Sequence, residues 1–357
     1  MFLLAAGPCY KAWREKHFQV LQPCLRNSCG DSFMNARIFL LLFVVLGCQN
    51  RPAAPMVKSS NGNINTISVV MPDLLWETEV GDAVRAAFAF PAEGLPQKEP
   101  LFDLKQIPPE VFTGFTRLSR MVLWVGFGDE VVIRTDKNRY ASPQQMAVLS
   151  APDTATLVEM ILSQSTGMIK AFKEGEIAER QRRTLKSTLH QNALQGRFGI
   201  NLTIPSAYKV FKEEKHAVWF QREIRKGHVN LIVYELPGTT KLDVEQPLAD
   251  IVRIRDSVGQ AFIPGRLAQS HLITEAAYEP YVYKTQISGI RAIETRGTWE
   301  VKGDFMAGPF LQFLLDDKEN KRYLVMEGFV FAPTVAKRDY VFETEAIMQS
   351  IQQLKKD

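Results

Sequence analysis

The residues able to do chemistry are unevenly spread along this chain. All four cysteines, Cys9, Cys24, Cys29 and Cys48, lie within the first 48 residues. Beyond Cys48 the sequence offers no thiol for a nucleophile, a metal ligand or a disulfide. The histidines after that point, His190, His216, His228 and His271, are not paired at the short spacings that place two imidazoles on one metal. A zinc site built from Cys9, Cys24, Cys29 and His17 would lack the close ligand pairs of structural zinc modules. No G-x-S-x-G elbow, phosphate-cradling G-x-x-x-x-G-K-[ST], G-x-G-x-x-G or H-E-x-x-H stands in the sequence. No catalytic residue, metal or cofactor is assigned on this basis.

Carboxylates need no local motif, because an acid/base pair can come from any two places in a fold. The densest group, Asp316-Asp317-Lys318-Glu319-Asn320, reads as a solvated turn between two strands. Asp304 is different, sitting in Gly303-Asp304-Phe305-Met306-Ala307-Gly308-Pro309-Phe310 just after Trp299. Two glycines and a proline among aromatic residues let a backbone approach a ligand closely, or make a tight bend. Trp299, Asp304, Met306, Gly308 and Pro309 are therefore the candidate ligand or partner surface. Were Asp304 one of an acid/base pair, the chain would be a hydrolase of glycan or peptide, with carboxyl groups about 5–9.5 Å apart.

Cys48 has a chemistry of its own. Met34-Asn35-Ala36-Arg37 precedes nine uncharged apolar residues, Ile38 to Leu46, and then Gly47-Cys48. A basic start, a short apolar run and a small residue at the cut are what a secretory signal requires. The run is shorter than the ~20 residues that span a bilayer. Val45-Leu46-Gly47-Cys48 resembles the lipobox of bacterial lipoproteins. That resemblance implies cleavage between Gly47 and Cys48, diacylglycerol on the Cys48 thiol and an acyl chain such as palmitate on the new amine. Two such anchors hold a protein stably in a membrane. On this reading residues 1–33 precede the signal as a mis-annotated extension, translation starts at Met34, 34–47 is the signal, and 48–65 is a flexible tether rich in Pro, Ser, Asn and Gly. Gln49 after the cysteine favours the outer membrane, facing the periplasm.

The formal charge of +4 is mostly a property of the leader. Five of the 43 Lys+Arg and two of the 39 Asp+Glu lie in residues 1–47, leaving 38 against 37. A nucleic-acid partner is not expected, since phosphate binding asks for a basic excess or stripe.

The elements that must position these residues read as α+β: two similar halves of mainly antiparallel sheet with packed helices, spanning 66–164 and 198–357. A helix connects them over 165–197. Trp76, Val80, Val84 and Phe88 recur every four residues, and Ile251, Ile254, Val258 and Phe262 likewise fall on one helix face. Asp82-Ala83-Val84-Arg85-Ala86-Ala87-Phe88 echoes Asp256-Ser257-Val258-Gly259-Gln260-Ala261-Phe262, and an internal duplication would explain the echo. Strand-like runs at 198–204, 217–224 and 229–236 precede the second helix, and those at 121–127, 130–134 and 146–149 after the first are answered by 299–302, 310–315 and 323–331 after the second. The run Glu179-Arg180-Gln181-Arg182-Arg183 reads as a solvated helix face, with anionic lipid headgroups as the alternative contact.

Several stretches together resemble an uncharacterised family of Bacteroidota lipoproteins, a domain of unknown function of the 4837 type. They are the lipobox, Leu95-Pro96-Gln97-Lys98-Glu99-Pro100, Arg253-Ile254-Arg255-Asp256-Ser257-Val258, Gly303 to Phe310, and Gly328-Phe329-Val330-Phe331-Ala332-Pro333. The resemblance implies a location and an architecture and supplies no catalytic residue. The expectation is a membrane-anchored envelope lipoprotein that binds a protein or glycan partner, or helps assemble an envelope structure with the proline-bracketed loop at 95–100 as its docking element.

Overall fold

A computed structural model of the chain describes residues 57–353. Gly47, Cys48, the expected signal and tether residues 48–56 lie outside the described residues. The rest of the expected tether is docked. Ser60 N–H donates to Ser142 O and Asn61 N–H to Leu118 O. Arg120 donates to the carbonyls of Gly62 and Asn63, and Arg183 to that of Gly62. Composition alone pointed to a loose linker there; long-range arginines satisfy its carbonyls and hold it down.

The first half is built on β1 (Thr66–Val70), the short α1 (Asp73–Trp76), α2 (Glu79–Phe88), β2 (Asp103–Ile107), β3 (Met121–Phe127), β4 (Val132–Lys137), β5 (Gln145–Ala151) and α3 (Thr154–Thr184). The sheet order is β2-β1-β3-β5-β4. The ladders β1/β2, β1/β3 and β3/β5 are parallel, and β4/β5 is antiparallel. Alternation puts Ile67, Val69, Leu123 and Leu149 on one face, where Val84 and Phe88 of α2 and Leu157, Ile161 and Phe172 of α3 cover them. Asp153 caps α3 by accepting from Thr156 N–H at 2.9 Å, so this helix starts at Thr154 and ends at Thr184, earlier at both ends than the spacing predicts.

The second half contains α4 (Ala193–Phe198), β6 (Ile200–Asn201), β7 (Lys209–Glu214), β8 (Ala217–Ile224), β9 (Gly227–Pro237), α5 (Leu248–Phe262), β10 (His271–Thr274), β11 (Tyr281–Ile287), β12 (Ile290–Lys302), β13 (Ala307–Asp317), β14 (Arg322–Phe331), α6 (Arg338–Met348) and β15 (Gln352–Gln353). Its large sheet runs β10-β12-β13-β14-β9-β8-β7, antiparallel throughout, with β11 also on β12. Both faces are buried. Leu311, Phe313, Met326 and Leu231 face α4 and α6, while Phe310, Leu314, Val325 and Ile232 lie on the face covered by α5. Two covered faces explain apolar runs without alternation at 229–234 and 310–315.

The α+β class and the predominance of antiparallel pairing hold. The echo between halves stops at element order, because one sheet holds three parallel ladders and the other none. The echoed aspartates also differ in role: Asp82 pairs with Arg85, whereas Asp256 accepts from the amide and hydroxyl of Thr274.

The charge run of α3 is not a solvated face. Glu176 is fully buried and accepts from Arg120 and from Asn65 N–H. Glu179 holds Arg182 and Arg183. Arg180 reaches Glu343 on α6, which also accepts from Tyr208 and pairs with Arg222. Lys173 and Arg296 meet at Glu345. The charges thus join α3 to α6 and the first half to the second.

Candidate functional site

The site starts from one missing donor. Pro309 has no N–H to give a ladder, and the β13/β14 pairing begins only at Phe310↔Phe329. Before that point β13 pairs with β12 alone, through Gly308↔Trp299 and Pro309↔Thr298. Gly308 passes so close to β14 that a Cβ would stand 2.0 Å from Val330 O and 3.1 Å from Trp299 Nε1. The β13/β14 ladder therefore ends here while the two strands stay in close contact.

A cavity of about 190 Å³ lies there, between the face of the sheet under α5 and the loop leading from α5 to β10. Its walls are aromatic. Trp299 meets Phe329 edge-on with centroids 5.9 Å apart, Trp219 lies 5.8 Å from Phe329, and Phe211 packs on Trp219 at 4.6 Å. Phe331, Met306, Leu272 and Ile263 complete the apolar lining. The polar wall comes from β8 and β9. Asn230 Oδ1 accepts from Trp219 Nε1 at 3.0 Å and from Gln221 Nε2 at 2.9 Å, and its amide donates to Phe329 O. Both the oxygen and the nitrogen of that carboxamide are engaged. Trp299 Nε1 and His228 Nδ1 are not: both are buried atoms with no hydrogen-bond partner among the described residues. Trp299 itself is only 2% exposed.

Two loops form the mouth. Arg266 donates to both oxygens of Asp304, at 2.9 and 2.8 Å, and Phe305 N–H donates to the same carboxylate. The Arg266 hydrogen bonds hold the Asp304 carboxyl below its ordinary range. This pairing removes Asp304 as a proton donor and makes it a tie between the loop after α5 and the β12–β13 hairpin. Phe305 at the hairpin tip is fully exposed, and Leu267 on the neighbouring loop is largely so.

The structure thus places the residues singled out in the sequence in distinct positions. Trp299 and Met306 line the cavity, Gly308 lies beside the Trp299 indole nitrogen, Asp304 ties the mouth, and Pro309 ends a ladder. Trp219, His228, Asn230, Phe329, Phe331 and Arg266 complete the site and were not singled out. His228 and Asn230 were the available sign, two polar residues spaced by two in a strand whose next inward positions are Ile232 and Tyr234.

Deeper on the same face, Glu327 accepts from Arg255 in a bidentate pair, with contacts of 2.8 and 3.1 Å. The guanidinium lies 3.8 Å from the Phe310 ring centroid and donates to Thr274 Oγ1. Burial pushes the Glu327 carboxyl up, against the pull of Arg255. Elsewhere, the proline-bracketed loop is a clasp: the Glu99 carboxylate accepts from the backbone N–H groups of Lys337 and Arg338 at the start of α6. A second hollow of about 380 Å³ separates this loop from Tyr278, Tyr281 and Thr298. Among the described residues no group of His, Cys, Asp and Glu could hold a metal, and no helix is long and apolar enough to cross a membrane.

With this geometry in view, the chain's kinship can be stated. Residues 187–350, which include the whole large sheet and its aromatic cavity, match the family described as Domain of unknown function (DUF4837). Residues 60–185 match a second one, Domain of unknown function (DUF8532). No curated protein matches the chain. Among solved structures, the Ran-binding protein Mog1p of Saccharomyces cerevisiae is 10% identical, over 44% of this chain and 90% of that one, with a TM-score of 0.31. A crystal structure from Bacteroides thetaiotaomicron is 9% identical, over 44% of this chain and 46% of that one, with a TM-score of 0.24. Likenesses this slight carry no argument about function.

Proposed function

We propose that this protein is a cell-envelope lipoprotein, anchored through Cys48 to the outer membrane and facing the periplasm, that binds a partner or ligand without transforming it. The observation that carries the binding half is the aromatic cavity at that end of the large sheet, walled by Trp219, Trp299, Phe329 and Phe331 with Asn230, Gln221 and His228 among them. Ligand sites are concave and mostly apolar, with a few polar groups that fix orientation, and this one has that composition. The anchoring half rests on the sequence around Gly47 and Cys48 and on the near-balanced charge after it.

Each half has its own test. Radiolabelled palmitate should enter the wild-type protein and not Cys48→Ser; equal labelling of both would remove the anchor. Mild crosslinking in cells followed by purification should return a reproducible partner or ligand that Trp299→Ala loses. Return of nothing, or of the same species from both proteins, would overturn the binding role at this site.

A further inference from the structure

The strand at the margin of the first sheet carries a charge pattern complementary to itself. We propose that β4 is where two copies of this chain associate, pairing antiparallel about a two-fold axis at Thr135. Two five-stranded sheets would then form one of ten strands. The cavity around Trp299 plays no part in it.

β4 is an open edge. It lies last in the order β2-β1-β3-β5-β4, so one row of its N–H and C=O groups faces β5 and the other has no strand beside it. Among the described residues no other backbone group bonds to that outer row. The register on β5 runs unbroken from Val132 to Lys137, whereas the margin strand β7 is interrupted by a bulge between Val210 and Lys212. A bulge blunts an edge, and a regular strand leaves it ready for pairing. The apolar face of the sheet also runs past its cover here. Ile133 is 48% exposed and Val131 57%, although Leu149, opposite Ile133 on β5, is fully buried.

Charge names the occupant. Asp129 and Glu130 lead into β4, and Lys137 and Arg139 lead out of it. Residues 129–139 hold three acidic and three basic groups, so the edge does not repel its own copy as a like-charged guard would. An antiparallel copy sets the acidic approach of each strand beside the basic exit of the other. Within the chain, the ion pairs of this stretch are Arg134 with Asp136 at 3.2 Å and Arg139 with Asp136 at 2.8 Å. Asp129, Glu130 and Lys137 have none among the described residues.

The register follows. In an antiparallel two-fold pair one residue stands opposite its own copy, and opposed side chains share a face of the sheet. With Thr135 at the axis, Arg134 of each copy stands opposite Asp136 of the other, and Ile133 opposite the stem of Lys137. An axis at Arg134 would set two guanidiniums face to face, and one at Asp136 two carboxylates. Unlike charges directly opposed stabilise such a pair and like charges weaken it.

The test uses the full chain in detergent, with Cys9, Cys24, Cys29 and Cys48 replaced by serine so that one introduced thiol stands alone. Under mild copper-catalysed oxidation Thr135→Cys should form a disulfide-linked dimer, because opposed Cα atoms lie about 4.5–5.5 Å apart, within disulfide reach. Ile133→Cys and Lys137→Cys would each meet their own copy about 13 Å away along the strand, so each alone should crosslink at least about tenfold less. Mixed together, those two should join. Arg134→Asp should lower the Thr135→Cys yield at least about fivefold, as should Asp136→Arg, and the two combined should restore it. Sedimentation of the wild-type chain should show a dimer that dissociates on dilution. Equal yields at 133, 135 and 137, or none at 135, would overturn the inference. So would a double charge swap no better than either single one, or a wild-type monomer at every concentration.

Discussion

Glu327 and Glu179 are both buried carboxylates held by arginine, yet they answer acid in opposite ways. Glu327 has its carboxyl pushed up by burial despite Arg255. Its proton is bound more tightly in the folded chain, so the stability it lends is present below the unfolded value and falls as pH rises through the raised one. Replacing Glu327 with Leu alone strands a buried guanidinium and should cost roughly 3–5 kcal/mol in urea unfolding; pairing it with Arg255→Met should recover most of that. Burial also opposes ionisation of Glu179, but hydrogen bonds from Arg182 and Arg183 and the charge of Arg120 prevail and hold its carboxyl down to about 2. Its contribution is complete above the ordinary value of 4.5 and is lost as pH falls from there through about 2. The loss of melting temperature between those values should therefore be smaller in Glu179→Gln than in wild type. Sequence shows that these residues are charged and cannot show which partner each meets, because Arg120–Glu176 and Arg255–Glu327 are joined across 56 and 72 positions. Trp299, Met306 and Asp304 were legible because local glycines and a proline marked their segment. Trp219 and Asn230 were not, since two β-strand residues reveal a shared cavity only once strand order is known.

At the scale of elements, the β13/β14 ladder ends at Pro309, and the close approach of the two strands beyond it depends on Gly308. A methyl at position 308 would meet a backbone oxygen, which cannot rotate away as a side chain could. Gly308→Ala should therefore push β14 outward and cost about 1–3 kcal/mol in thermal unfolding. The clasp at α6 is a separate device. Glu99 serves two of the orphan N–H groups at that helix start from far away in sequence, and Glu99→Ala should cost about 0.5–2 kcal/mol by urea denaturation. The amphipathic spacing of α2 and α5 was readable. The charged stretch of α3 was not, because the burial of Glu176 and Glu179 follows from α6 and the 57–65 strap packing over it, and neither is visible in a helical repeat.

The whole described chain is then one cooperative object made of two dissimilar sheets. Residues 60–185 and 187–350 match different families, yet Glu343 and Glu345 of α6 draw their partners from both. A single urea transition should appear whether Trp124 in the first sheet or Trp219 in the second reports it. The general class, α+β with mostly antiparallel pairing, followed from the apolar runs. The parallel ladders of the first sheet did not, since a short apolar strand looks the same in either direction. What this assembly does depends on the cavity end of the large sheet, and its most exposed marker is Phe305. A photo-crosslinking phenylalanine at position 305 should form a discrete, saturable adduct in living cells, one that Trp299→Ala removes. The same probe at the exposed Leu74 on the first half should not form it. An adduct equal at both positions, or none at 305, would contradict the claim that this cavity is where the protein binds.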